Sequence, residues 1–195
     1  MTTTLYLVRH GEAASSDAAD PGLSEHGRRQ AEALATRLAR LRIDGLVHSP
    51  KRRARETAEI IGAHLAHVSL ASSEHADDRT PVPTDRSRVP ERYWPFLARV
   101  PAAERDPDGR QLDAAVDHLG AVGTRDRSVI VVSHAFVIGW FVRRAVDAPP
   151  WRWIGLNHLN GAVTTIQYTP DGSRLVAFND SGHLPPTAAD LDAPP

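Results

Sequence analysis

The chain has no cysteine, which excludes a disulfide framework, a thiol nucleophile and any thiolate metal centre. It has no excess of charge of either sign. Twenty-three basic side chains meet 24 acidic ones, for a formal net charge of −1, so no bulk field draws the protein to nucleic acid or a membrane surface, and neither is an expected partner. Long apolar runs are missing too: none approaches the roughly 20 residues a membrane-crossing helix needs. Met1-Thr2-Thr3-Thr4 has neither the basic region nor the apolar stretch of a signal peptide, and a cytoplasmic location is the expectation. Lysine occurs once, at Lys51, in a chain rich in arginine, alanine, proline and aspartate. GC-rich coding produces such a bias by itself, which weakens any argument resting on one arginine. What remains, 195 residues of ordinary apolar content, suits one globular domain with a sizeable core, and is compatible with a homodimer.

Periodicity organises the chain. Leu5-Tyr6-Leu7-Val8 is a short apolar run of the kind a buried strand uses, ended by Gly11, so His10 falls at a strand's carboxyl end. Ser24 suits the N-cap of a helix whose apolar face is Ala31, Leu34, Ala35, Leu38 and Leu41. Residues 44–48 read as a second strand, and Ser49-Pro50 opens another helix through RRARETAEIIGAHLA. From 69 to 108 six prolines interrupt every long element except a short helix near 91–100, and this segment is read as an excursion that covers something. A helix near 111–122, a β-branched strand at 128–133, a helix over 135–146 and two late strands, 162–168 and 175–178, complete the domain at residue 183. The Pro-, Ala- and Asp-rich tail 184–195 is expected to be disordered. Alternating strands and helices predict a three-layer α/β/α sandwich with a mostly parallel sheet, whose ligands bind beyond the carboxyl ends of its strands. His10 and His134 both fall at that edge.

Those two histidines suit phosphoryl transfer. A histidine can form a covalent intermediate, and the transferred group's oxygens then need fixed positive charge, which a guanidinium supplies through a planar, bidentate fork. Arg9 stands beside His10. Arg52 and Arg53 lie in the first turn of a helix, where free N–H groups also favour an anion, but adjacent helical residues point about 100° apart and at most one of the pair faces the pocket centre. Arg55 has the alternative reading of a solvated basic face. His64 and His67 show no familiar metal spacing, and no metal or cofactor is expected.

In order along the chain, LVRHGE, SPKRRARETA and VIVVSHAFVIGWFVRR resemble the histidine phosphatase superfamily, also called phosphoglycerate-mutase-like. NHLNGAVTTIQYTPDG and FNDSGHLPP resemble its mitochondrial Ser/Thr protein-phosphatase branch and small bacterial phosphatases. The resemblance implies that His10 is the phosphorylated nucleophile, Arg9 and Arg53 bind phosphate, and His134 is the second pocket histidine. Arg53 is picked by its place in R-A-x-x-T-A, which leaves Arg52 to the rim. It also implies an acid from the covering segment. Asp78 in HADDRTPVP takes that place, with Asp77 and Glu12 as rivals. Two departures touch the pocket rim. Ala13 and Ser16 stand where many members have threonine and asparagine, and Ala135 where many have glycine. His183 is assigned a structural hydrogen bond.

The expected activity is metal-independent hydrolysis of phosphate monoesters through phospho-His10, on a small phosphorylated metabolite in preference to a phosphoprotein. A phosphoglycerate-type mutase is the alternative among enzymes, and a catalytically silent phosphate-binding protein is the alternative outside them.

Overall fold

Alternation along the first apolar run decides where it sits. In a computed structural model that describes residues 1–14 and 19–185, strand β1 (Thr3–Arg9) turns Leu5 and Leu7 to one core and Val8 to another, so it has to be covered on both faces. Strand β6 (Arg127–Ser133) does the same with Val129 and Val131 on one side and Ile130 and Val132 on the other. Ser16 and residues 186–195 of the tail lie outside the described residues.

The remaining strands are β2 (Gly45–His48), β3 (Leu70–Ser72), β4 (Thr80–Val82), β5 (Arg105–Pro107), β7 (Val163–Thr169) and β8 (Gly172–Asp180). Among the described residues, six of the eight strands form one sheet in the order β3-β2-β6-β1-β7-β8. Its first four strands are parallel, and β7 and β8 continue it antiparallel. Helices α1 (Glu25–Leu38) and α2 (Arg52–Ala63) bury Leu34, Leu38, Ala58 and Ile61 against one face. Helices α4 (Arg110–Leu119) and α5 (Ala135–Ala145) bury Leu112, Val116, Ile138 and Phe141 against the other. This is the three-layer arrangement with a mostly parallel sheet.

Local chemistry sets the boundaries. Ser24 caps α1, its Oγ accepting the Gly27 N–H at 2.9 Å. That helix stops at Leu38, where the chain tightens into a turn back to β2; Leu41, assigned from the sequence to the buried face, is exposed. Helix α4 ends at Leu119 rather than at 122 because Gly120 terminates it. The excursion differs most from the sequence reading. Leu70–Ser72 belongs to the main sheet, and Thr80–Val82 pairs in parallel with Arg105–Pro107 as a separate small ladder. Prolines 81 and 107 are tolerated there because a two-stranded ladder has only edges. Between these strands, short 3-10 turns lead into α3 (Trp94–Leu97). Val89 and Leu97 anchor the segment in the core on the α5 side, and Phe96 packs edge-on against Phe136 at 5.5 Å.

Candidate active site

Three strand ends converge where parallel sheets place their ligands. The N–H of His10, just past β1, donates to the Ser133 carbonyl at the end of β6 (3.0 Å), and the N–H of Ser49, just past β2, donates to Val132 (3.0 Å). These bonds carry the ladder one residue beyond each strand and fix His10, His134 and Ser49 along one edge. Arg53 follows Ser49 by one turn of α2. Its carbonyl accepts the Thr57 hydroxyl (2.7 Å), and the same hydroxyl oxygen accepts the Gly11 N–H (3.1 Å), which ties α2 to the turn after β1.

His10 is buried, and its Nδ1 lies 2.7 Å from the Gly11 carbonyl oxygen. A carbonyl can only accept, so the proton is assigned to Nδ1 and the lone pair to Nε2. Arg53 Nε lies 3.1 Å from that Nε2 and donates to it. Burial pushes the His10 imidazole well below the ordinary histidine range, with His134, Arg53 and Arg9 adding to the shift against the Gly11 bond. The residue therefore presents a neutral nitrogen whose electron pair accepts from a guanidinium. Arg9 donates through Nη1 to the His158 carbonyl and contributes its charge to both His10 and His134.

His134 is buried, its ring 5.1 Å from that of His10, and burial followed by Arg53, Lys51 and Arg9 lowers its pKa well below normal. Its Nε2 is 2.8 Å from Ser49 Oγ, and Ser49 Oγ lies 3.4 Å from Asp77 Oδ1. With the hydroxyl proton directed to Asp77, His134 carries its proton on Nε2. Nδ1 then faces Arg53 Nη2 at 3.3 Å and Asp78 Oδ2 at 3.3 Å. Asp78 Oδ2 is also 2.5 Å from Arg53 Nη2. The approach of Nδ1 to Oδ2 is favourable only with a proton between them. The covering segment thus brings one carboxyl, Asp78, onto both groups that would hold a phosphoryl oxygen.

The other residues considered from the sequence sit elsewhere. Glu12 accepts the Ser24 hydroxyl at 2.6 Å, at the start of α1. Asp77 is buried beneath the site between Ser49 and Arg79. Arg52 turns to the buried Glu56 (2.7 Å), and Arg55 pairs with Glu59 (3.7 Å) on the exposed side of α2. His64 faces Glu32 at the surface, and His67 is exposed. His183 hydrogen-bonds the Gly161 carbonyl and accepts from Arg37, a structural role. Ala13 bridges to Leu23, and Ala135 begins α5.

Several supporting groups escaped the sequence reading. Asn160 Nδ2 donates to the His10 carbonyl (2.9 Å), and Gln30 Oε1 accepts the Glu12 N–H (2.9 Å). Gly27 lets α1 approach the turn after β1: a Cβ there would lie 2.1 Å from the Glu12 carbonyl oxygen. Glu104 enters from the turn Ala102–Glu104, within electrostatic reach of Asp78, Lys51, Arg53 and Asp77. Thr57 and Asn160 at least had a signal, since both fall inside the quoted motifs. Gly27, Gln30 and Glu104 had none, because each acts through contacts that only the folded chain creates.

Comparison with known proteins gives one consistent answer. The chain is 32% identical over 194 residues to the mitochondrial serine/threonine-protein phosphatase PGAM5 of Mus musculus, a match that takes in 95% of this chain but only 65% of that protein's length. Among solved structures it superposes on Bacillus stearothermophilus YhfR with a TM-score of 0.72 (21% identity, 93% of this chain and 98% of that one). The alpha-ribazole phosphatase of Shigella flexneri gives 0.71 (18% identity, 91% and 96%). Residues 5–181 match the histidine phosphatase superfamily (branch 1), and this chain belongs to that family.

Proposed function

We propose that the protein hydrolyses phosphate monoesters by passing the phosphoryl group first to Nε2 of His10 and then to water, without a metal ion. The observation that carries this reading is the state of His10. Its proton is held on Nδ1 by the Gly11 carbonyl, and its Nε2 lone pair stands 3.1 Å from the Arg53 guanidinium. A phosphoryl group drawn to Arg53, Arg9 and His134 displaces Asp78 from Arg53 and presents phosphorus to that lone pair, so positioning and fixed charge supply the catalysis. As the P–N bond forms, the P–O bond breaks and its electron pair goes to the leaving oxygen, which takes a proton from Asp78. Water then attacks phosphorus, Asp78 recovers a proton from it, and the P–N electron pair returns to Nε2.

The substrate we favour is a small phosphorylated metabolite. His10 and His134 are 7% and 3% exposed, and the segment bearing Asp78 is fastened over them, Ser133 Oγ donating to the Ala76 carbonyl at 2.7 Å. A centre this enclosed suits a compact ester better than a folded protein surface. Because PGAM5 is a protein phosphatase by name, phosphopeptides belong in the substrate panel beside metabolites.

The test is hydrolysis of p-nitrophenyl phosphate with and without chelator, by the intact protein and by His10→Ala, together with acid-quench trapping of a phosphorylated imidazole. We expect chelator-insensitive turnover, an acid-labile label on the intact protein, and a loss of roughly 10⁴-fold or more in the variant. Absence of turnover, or equal turnover by both proteins, overturns the reading.

A further inference from the structure

The helix that presents Arg53 is capped from outside. Lys51 stands at the N-cap position of α2 and makes no side-chain cap, so the first-turn N–H groups need acceptors from elsewhere. Asp20 supplies one. The Arg52 N–H donates to its Oδ1 (3.0 Å) and Oδ2 (3.2 Å), and the same Oδ1 lies 3.9 Å from Arg53 Nη1. The site uses other nitrogens of that guanidinium: Nε faces His10 (3.1 Å), and Nη2 faces Asp78 (2.5 Å) and His134 (3.3 Å). The stretch that follows Asp20 is itself fastened on two sides. The Leu23 N–H donates to Glu56 Oε2 on α2 (2.9 Å), and the Gly22 carbonyl accepts the Ala14 N–H from the turn after β1 (2.9 Å).

We infer that Asp20 is a positioning residue for Arg53: it caps the helix from which the arginine projects and braces the guanidinium at Nη1 while His10 and Asp78 engage Nε and Nη2. The brace counts most once Asp78 has moved. On the proposed mechanism the phosphoryl group takes Nη2 from Asp78, whereas Asp20 stays in place because a backbone N–H holds its oxygens. A guanidinium is planar, so a charge fixed at Nη1 keeps the edge formed by Nε and Nη2 turned to the nucleophile and the phosphoryl oxygens. Without that charge Arg53 remains a cation but loses a constraint on its orientation, and orientation is what such a group contributes to transfer. The Asp20 side chain is 49% exposed, and solvent screening limits the contact to an effect of about fivefold on rate.

This inference rests on the phosphohistidine reading, and the test separates the two. Asp20→Asn keeps an oxygen for the Arg52 N–H and removes the charge that faces Arg53, whereas Asp20→Ala removes both. Each is made in the intact protein and in the Arg53→Ala background, and kcat and KM on an activated aryl phosphate are measured beside urea unfolding midpoints. We expect Asp20→Asn to unfold at the midpoint of the intact protein and to lose about fivefold in kcat at an unchanged KM. Asp20→Ala should lose at least as much kcat and unfold at lower urea. In the Arg53→Ala background Asp20→Asn should change kcat by no more than about twofold, because the brace then has nothing to hold. An intact-like kcat in Asp20→Asn, a loss confined to KM, or an equal loss with Arg53 absent overturns the role of Asp20 while hydrolysis through His10 stands. No turnover by the intact protein overturns the parent reading and this one with it.

Discussion

His10, His134 and Arg53 hang from strand ends and from the first turn of α2, where ladder and helix hydrogen bonds hold the backbone around each residue. Asp78 and Glu104 ride instead on short turns, held by side-chain ties such as Arg79 to Ala103 and by a few buried apolar anchors such as Val89 and Leu97. On the proposed mechanism the first region supplies the nucleophile and the fixed positive charge, which must not move during the reaction. On the same mechanism the second supplies the proton donor, which must leave Arg53 when the phosphoryl group arrives. Burial favours the uncharged form in both: it drives the histidines below and Glu104 above their ordinary values.

The largest effect should come from emptying the fixed half. Arg53→Ala removes the donor to His10 Nε2 and the partner of Asp78 together. On the proposed mechanism kcat/KM falls about 10³-fold on alkyl and activated aryl phosphates alike, because the lost charge acts on the phosphoryl oxygens and not on the leaving group. Steady-state kinetics on both esters check this; a loss confined to alkyl esters would move Arg53 into the covering half.

Gly27→Ala strikes the same half through its frame. A Cβ 2.1 Å from the Glu12 carbonyl oxygen forces α1 away from the turn that carries His10. We expect a loss of roughly 3 kcal/mol in denaturant-induced unfolding, and a similar cost for Gly11→Ala, whose Cβ would sit 2.5 Å from the Gly27 carbonyl oxygen. Unchanged unfolding midpoints would mean that this contact relaxes freely.

How far each half was legible in the sequence follows from the same contrast. Leu5–Val8 and the run ending at Val132 announce strands because a sheet buried on both faces admits little besides apolar and β-branched residues. The residues at their ends inherit positions from topology alone, so strand order by itself brings His10 and His134 to one edge. Arg53 could be told from Arg52 only by its motif, and the structure shows the physical difference: Arg52 turns to Glu56 while Arg53 turns to His10. In the covering segment periodicity is broken by proline, so β4 and β5, three residues each, left no pattern to read. Asp78 was reached by resemblance. Glu104 is separated from it by a chain excursion that the small ladder of β4 and β5 and the Arg79–Ala103 hydrogen bond close.

A pH profile sharpens the comparison further. Protonation of His10 Nε2 would abolish attack, and since burial pushes its pKa well below the ordinary histidine value, the acid limb of kcat/KM on an activated aryl phosphate should lie well below about pH 6.5. An acid limb centred at the ordinary histidine value would show that water reaches His10 and that the enclosure argued for a small substrate is incomplete.

The smallest effect should come from loosening the covering half without touching its carboxyls. Arg79→Ala cuts the tie between the Asp77–Asp78 segment and the Glu104 turn, a contact made by a side chain that is 24% exposed. Such ties are typically worth about 0.5–1 kcal/mol, which translates into roughly a two- to fivefold change in rate. If the tie serves only to hold the acid in place, that change appears on alkyl phosphates and is smaller on activated aryl phosphates, whose leaving oxygen needs little proton. An equal loss on both would mean that Arg79 also steadies Ser49 through Asp77, and with it His134, so that the boundary between the two halves runs through Asp77 rather than beside it.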